Sequence, residues 1–235
     1  MERSQRVLQV SSLTLLTTAT GACTPPPMAV PQDVERASDE ILITDRSRAS
    51  GMFVDESFTI GPYRITDVNR KWNSSSSSSF LSVSSGESKG GYSYGLKAPE
   101  GEYKAACTSH LDEKSVGVLG GAFGSQNYAV LCQCGGPTLA TFSMSADSSS
   151  RYKGTVVAGN DSYAIEGIYT YEKGGTSGNP LGYEVRGATP VGAVEVMGKG
   201  RVWLSKSLDP IARANVACLF AGLLLYQAPQ SPVNK

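Results

Sequence analysis

The chain has no excess charge of either sign. Lysine plus arginine and aspartate plus glutamate number 21 each, and no block of like charge stands out along the 235 residues. Nucleic-acid-binding domains usually carry a basic patch or stripe. The composition therefore argues against a nucleic-acid partner.

Histidine is almost absent, and catalytic motifs are missing. The single histidine, His110, lies in TSHLDEK, a stretch that predicts a solvated loop. One histidine excludes multi-His metal sites, although it suffices for one Ser–His–Asp set. No Gly-x-Ser-x-Gly elbow, HExxH, P-loop or dinucleotide fingerprint accompanies it. We expect no cofactor and no metal, and a hydrolase that uses His110 remains an alternative.

What the chain does have is glycine, tyrosine and short alternating segments. Its 26 glycines separate apolar runs of strand length. This spacing predicts a mainly β domain, an antiparallel barrel or sandwich, over residues 51–228. In FTIGPYRITDV two strands flank a Gly-Pro turn, whereas the serine run Ser74–Ser79 predicts a flexible surface loop.

One helix is predicted at the end of this domain. Asp209 is a suitable N-cap and Pro210 suits the first helical position. Residues 214–226 are apolar on every side except at Asn215, which favours burial inside the β structure. The stretch VGAVEVMGKGRVWLSKSLDPIARANVACLFAGLLLY, preceded by many strands, is similar to the tubby C-terminal and phospholipid-scramblase-like architecture. That resemblance implies a β-barrel around a C-terminal helix, and no function.

The N-terminus has the order of a signal peptide, residues 1–22. Arg3 and Arg6 precede a mildly apolar segment, which small residues end before Cys23. Thr20, Gly21, Ala22 and Cys23 resemble the lipobox of bacterial lipoproteins, with Thr20 in place of the usual Leu.

The resemblance to lipoproteins implies where in the cell the protein is located. Cys23 would carry acyl chains, which anchor stably when two or more are present. Thr24 at the next position implies the outer membrane, with the domain on its periplasmic face. Residues 23–50 are predicted to be a flexible Pro-rich tether, and residues 229–235 a tail.

Four cysteines remain beside Cys23. An even number in an exported protein is typical of disulfides. We expect a bridge from Cys107 to Cys132 or Cys134, and we interpret Cys218 as a small core residue of the helix. The alternative is a metal site formed by these three strand cysteines and His110, but C-x-C is not the C-x₂-C of structural zinc sites.

Two groups of strand residues could form a binding or catalytic surface. Two Tyr-x-Tyr pairs each place both rings on one face, where they could bind glycan or peptide; these are Tyr92, Tyr94, Tyr169 and Tyr171. Three carboxylates, Glu166, Glu184 and Glu195, are expected to face solvent, and two such groups could serve a glycosidase.

These features predict a lipid-anchored protein of the cell envelope. Its β domain is expected to be a non-enzymatic binding or structural module whose protein, glycan or lipid ligand is unidentified. The alternatives are an envelope hydrolase that uses His110 or a carboxylate pair, and a soluble cytoplasmic domain if the N-terminus is not processed.

Overall fold

The computed structural model describes residues 26–46, 56–80, 83–118, 121–146, 151–198 and 200–226. For 71–80, 83–89, 111–118 and 121–128 it describes the backbone alone. Helix α1 is Gln32–Ala37 and helix α2 is Pro210–Leu225. The strands are β1 Ser38–Thr44, β2 Phe58–Ile60, β3 Tyr63–Phe80, β4 Val83–Ala98, β5 Gly101–Val118, β6 Gly121–Gly135, β7 Leu139–Ala146, β8 Tyr152–Ala158, β9 Asp161–Ile168, β10 Gly182–Arg186, β11 Pro190–Glu195 and β12 Arg201–Ser205.

These strands form one closed antiparallel barrel. Each strand from β2 to β12 pairs with its neighbours in the chain, and β1 closes the barrel by pairing with both β2 and β12. Where all the strands are paired, closure removes the sheet edges, which would otherwise be free to pair with other chains. The predicted mainly β fold is confirmed as a barrel rather than a sandwich.

Helix α2 fills the barrel. Asp209 accepts a hydrogen bond from the Ala212 N–H at 2.9 Å, and Pro210 begins the helix, both as predicted. Every residue from Ala214 to Leu225 is buried. A helix that is apolar all round can be covered on all sides only by a surrounding structure, and the strands provide it.

The barrel has two distinct ends. Helix α2 ends at the same end as β1, β3, β5, β7 and β9, because the helix runs in the direction of these strands. We call this the hairpin end, because the long β3–β4 and β5–β6 hairpins also turn there. The β2–β3, β4–β5 and β6–β7 turns lie at the opposite end.

The described part of the predicted tether is folded. Residues 26–37, here called the strap, lie on the outside of the wall formed by β10, β11 and β12. Strand β1 then belongs to the barrel itself. The boundary predicted near residue 50 is therefore wrong, because the few apolar residues of this segment, such as Met28 and Val34, find apolar partners that are distant in sequence.

Two further local predictions are corrected. The serine run belongs to β3, whose backbone pairs with β4 as far as Phe80 opposite Val83. His110 also lies in a strand, β5, rather than in a loop. In both places backbone pairing with adjacent strands outweighs a composition that is typical of loops.

Candidate functional site

The buried side of β6 carries two cysteines, and both are in disulfides. Cys132 pairs with Cys107 on β5, directly opposite in register, and Cys134 pairs with Cys218 on α2. Cys218 is thus not the unpaired core residue expected from the sequence, because the helix passes beside β6 inside the barrel. Disulfide sulfurs are not available as thiolate ligands, so the alternative metal site is not formed.

Tyr92 and Tyr94 form the polar link between the barrel and its helix. Their hydroxyls donate to the carbonyls of Gly222 and Cys218, each at 2.7 Å. The rings stack with centroids 6.4 Å apart, and burial raises both phenol pKa values. These two residues of the proposed binding face therefore lie inside the core and do not contact solvent.

The other two tyrosines lie at the hairpin end. Tyr169 is buried, and its hydroxyl accepts a hydrogen bond from the Tyr152 N–H at 2.7 Å. The Arg151 guanidinium lies 4.2 Å from the Tyr169 ring centroid. Tyr171 is half-buried and packs against the strap. The four tyrosines do not form one face, because Tyr92 and Tyr94 point inward, whereas Tyr169 contacts Arg151 and Tyr171 packs against the strap.

The three carboxylates also differ in environment. Glu166 is exposed, near Lys153 at 3.7 Å, whereas Glu184 pairs with Arg186. Glu195 lies on the outer face, as alternation predicts, but the strap covers it. Its two oxygens accept from the Met28 N–H and from Arg201, each at 2.7 Å. The prediction of solvent-facing carboxylates therefore holds for Glu166 and fails for Glu195.

Two arginines meet the end of α2 at the hairpin end. Arg46 donates to the Leu224 carbonyl at 2.8 Å, and Arg70 donates to the Leu225 carbonyl at 2.9 Å. Glu56 pairs with Arg70 at 2.8 Å. Carbonyls in the last turn lack partners within the helix, and cations there are favoured by the helix dipole. Sequence reasoning missed both arginines because the chain gives no sign that they meet the helix.

A shallow groove of about 760 Å³ crosses the outer wall over β5, β6, β7 and β8. The His110 imidazole and the Lys153 ammonium line it, and Leu131 is exposed. None of the described residues that line it is an aspartate or glutamate. A Ser–His–Asp set is therefore not assembled by the described lining. The remaining lining residues are mostly small, including Gly90, Thr108, Ala129, Ser143, Ser145 and Gly154.

Cys23 lies outside the described residues, but the structure limits its distance from the barrel. The strap is fixed from Pro27, whose carbonyl accepts from the Glu172 N–H at 2.9 Å. Met28, the next residue of the strap, is buried and forms a β-bridge with Tyr171. Three peptide links separate Cys23 from Pro26, which is at most about 11 Å of extended chain.

No protein-family model, curated protein or solved structure matches this chain significantly. Among the described residues, neither helix combines the length and hydropathy needed to cross a membrane.

Proposed function

We propose that the protein is a lipoprotein of the bacterial cell envelope, anchored through acyl chains on Cys23. Its barrel is a non-enzymatic binding or structural domain. The carrying observation is the cysteine pairing: four of the five cysteines form two disulfides inside the fold. Disulfides persist in exported proteins and are rare in the cytosol. Cys23 is the cysteine left over, in the segment that resembles a lipobox.

The barrel interior supports a role at the outer surface. Helix α2 occupies the space that a channel or a ligand cavity would need. A partner would therefore meet the outside of the barrel: its outer wall, the strap or one of its two ends. The groove beside His110 and Lys153 is a concave surface on that outer wall, where these two polar side chains lie beside apolar and small residues.

The strap supports anchoring close to the membrane. Because the chain is fixed to the barrel from Pro27, the predicted long tether shrinks to the few residues after Cys23. The barrel would then stay beside the bilayer. The resemblance to lipoproteins with a residue such as Thr24 after the lipidated cysteine implies the periplasmic face of the outer membrane. Membership of the tubby or scramblase-like group stays a proposal, supported by the barrel closed around a C-terminal helix.

The test is intact mass and membrane partition of the wild type and Cys23→Ser, expressed in a bacterium. We expect the wild type to lose residues 1–22, gain the mass of acyl chains and enter the membrane fraction. Cys23→Ser should carry no acyl mass and leave that fraction. Two full-length, soluble proteins would overturn the anchor and favour the cytoplasmic alternative.

A second assay separates binding from catalysis. Wild type and His110→Ala are compared on chromogenic ester and glycoside substrates, since a hydrolase that uses His110 as its base should lose a factor of about 10²–10⁴. We expect no difference between the two proteins. A rate that depends on His110 would replace the binding role by the hydrolase.

A further inference from the structure

Four neighbouring strands continue beyond the rest of the barrel at the hairpin end. The last pair between β6 and β7 is Tyr128 with Ala146, yet β6 extends seven residues further, to Gly121. At about 3.4 Å per residue this is roughly 24 Å of strand. We call the part formed by residues 71–80, 83–89, 111–118 and 121–128 the extension.

The register of the extension aligns four apolar residues. Phe80 is paired with Val83, Val83 with Val116, and Val116 with Phe123. Directly paired residues of an antiparallel sheet share one face. These four positions, which we call the tip row, therefore form one continuous apolar row across all four strands. No single segment of sequence shows it, because the four residues come from two hairpins.

Charged residues are few near the tip row, and Lys114, two positions from Val116, is the nearest of them on β5. Residues 72–86 and 115–146 contain no Asp, Glu, Lys or Arg. The charged positions of the extension, such as Glu87 opposite Asp112, lie nearer the barrel in the same register. The outermost part, residues 79–86 and 115–124, thus consists of apolar, serine and glycine residues without a charged one, and a neutral segment costs less to place against lipid than a charged one.

The position of the tip row favours a lipid surface as its environment. The extension projects from the hairpin end, and the strap leads toward Cys23 from the same end, beside the β9–β10 connection. A chain of at most about 11 Å between Cys23 and Pro26 keeps this end near the membrane. Anchor and extension would then reach one bilayer surface together.

We propose that the tip row Phe80, Val83, Val116 and Phe123 is a second membrane contact, which enters the interface of the bilayer that carries the lipidated Cys23. This inference rests on the proposed anchor. One anchor point leaves a domain free to tilt in every direction, whereas a second point restricts that tilt. The inserted row would limit the orientations of the barrel and the range of heights of the outer-wall groove above the lipid.

The first test removes the acyl chains and keeps the same N-terminal segment in every variant, so that differences in vesicle binding report the tip row. Cys23→Ser protein is sedimented with vesicles of phosphatidylethanolamine and phosphatidylglycerol. We expect Phe80→Ser with Phe123→Ser to weaken vesicle binding by about tenfold or more, since less apolar surface leaves water. The matched control is Leu139→Ser with Ile211→Ser, two exposed apolar residues at the opposite end, which should leave binding unchanged.

The second test uses the lipidated protein in vesicles with brominated acyl chains. A tryptophan at position 123, in a Trp72→Phe background, should be quenched by bromine. A tryptophan at Gln133, an exposed position of β6 nearer the barrel, should not be. The buried Trp203 is common to both proteins and is subtracted with the background variant. Equal unfolding midpoints would show that the variants fold.

The outcomes separate the two proposals. If Cys23 carries lipid but position 123 is unquenched and the serine variant binds like the wild type, only the tip-row inference is overturned. If Cys23 is never acylated, the anchor fails, and the sedimentation result still decides the tip row. Self-association without vesicles that the serine substitutions abolish would overturn the lipid contact, since a second copy of the chain would cover the row.

Discussion

Glu195 Oε1 accepts a hydrogen bond from the backbone N–H of Met28 at 2.7 Å, across 167 positions of the chain. The same carboxylate binds Arg201, whose guanidinium lies 4.8 Å from the Trp203 ring centroid. One buried outer-face residue thus joins the strap to the wall of the barrel. Through the strap it also fixes the point from which the chain leads toward the proposed anchor.

Glu195→Ala is expected to loosen the strap. The substitution leaves the Met28 N–H and Arg201 without this acceptor, which costs about 1–3 kcal/mol of unfolding free energy. Trp203, buried beneath the strap, should then shift its emission to longer wavelength and become accessible to iodide in a Trp72→Phe background. The exposed Glu166→Ala is the control. Unchanged Trp203 emission in Glu195→Ala would contradict this role.

Lowering the pH should loosen the strap through Asp33. Its hydrogen bond with Arg186 lowers the pKa of this carboxyl from 3.8 to about 2. A depressed folded-state pKa gives stability that is present above the unfolded value and is lost as the pH falls from about 4 to about 2. Asp33→Asn should abolish this part of the pH dependence, measured by Trp203 emission. Glu35→Gln, on the same helix, should retain it.

The two tyrosines inside the barrel are expected to differ in their contributions. Gly222 lies in the last turn of α2, where its carbonyl lacks a helical partner, whereas the Cys218 carbonyl lies one turn earlier. Tyr92→Phe should therefore cost about 1–3 kcal/mol and Tyr94→Phe about 0.5–1.5 kcal/mol of unfolding free energy. Urea denaturation measures both, with the half-buried Tyr171→Phe as control. The reverse order would contradict the argument.

The disulfides should also differ in their effect on stability. They close loops with sequence separations of 25 for Cys107–Cys132 and 84 for Cys134–Cys218. Loop-closure entropy predicts losses of about 3.5 and about 4.5 kcal/mol when each pair is replaced by alanines. Denaturant midpoints of the two double variants give the comparison. An equal loss from both would show that chain entropy does not govern the difference.

Gly222→Ala is expected to destabilise the fold, although alanine is the better helix former by about 1 kcal/mol. An added Cβ would lie 2.9 Å from the Cys132 sulfur and 3.0 Å from the Tyr94 hydroxyl. The sulfur is held in a disulfide and cannot move away easily, so overpacking should exceed the helical gain by about 1–2 kcal/mol. At Gly178 an added Cβ meets nothing within 4 Å, and Gly178→Ala should be neutral in the same thermal-unfolding measurement.

Much of the fold could be predicted because local pattern and tertiary environment agree. Alternation identified β2 and the start of β3. Asp209 and Pro210, followed by an apolar segment, identified α2 and its burial. The strap was missed because its few apolar residues, such as Met28 and Val34, lie in a short Pro-rich and polar segment without a strand or helix period. The serine run was misread because backbone pairing in a sheet does not require an apolar face.

The site was less predictable than the fold. Tyr-x-Tyr spacing places two rings on one face of a strand, but it does not say which face turns inward. The structure turns Tyr92 and Tyr94 toward the helix. The partners of Cys134 and of Glu195 likewise lie 84 and 167 positions away in the chain. Such pairings arise from topology and leave no periodic signal.

By itself, the sequence determined the class of the domain, its enclosed helix and the lipobox-like segment at Cys23. These properties follow from short-range spacing: alternation, caps, turn residues and an order of apolar and small residues. Only the tertiary structure decided the barrel closure by β1, the second disulfide, the docking of the strap and the tip row. Each of these depends on strand register or on contacts between distant segments, which the chain specifies only once all its strands are paired around the helix.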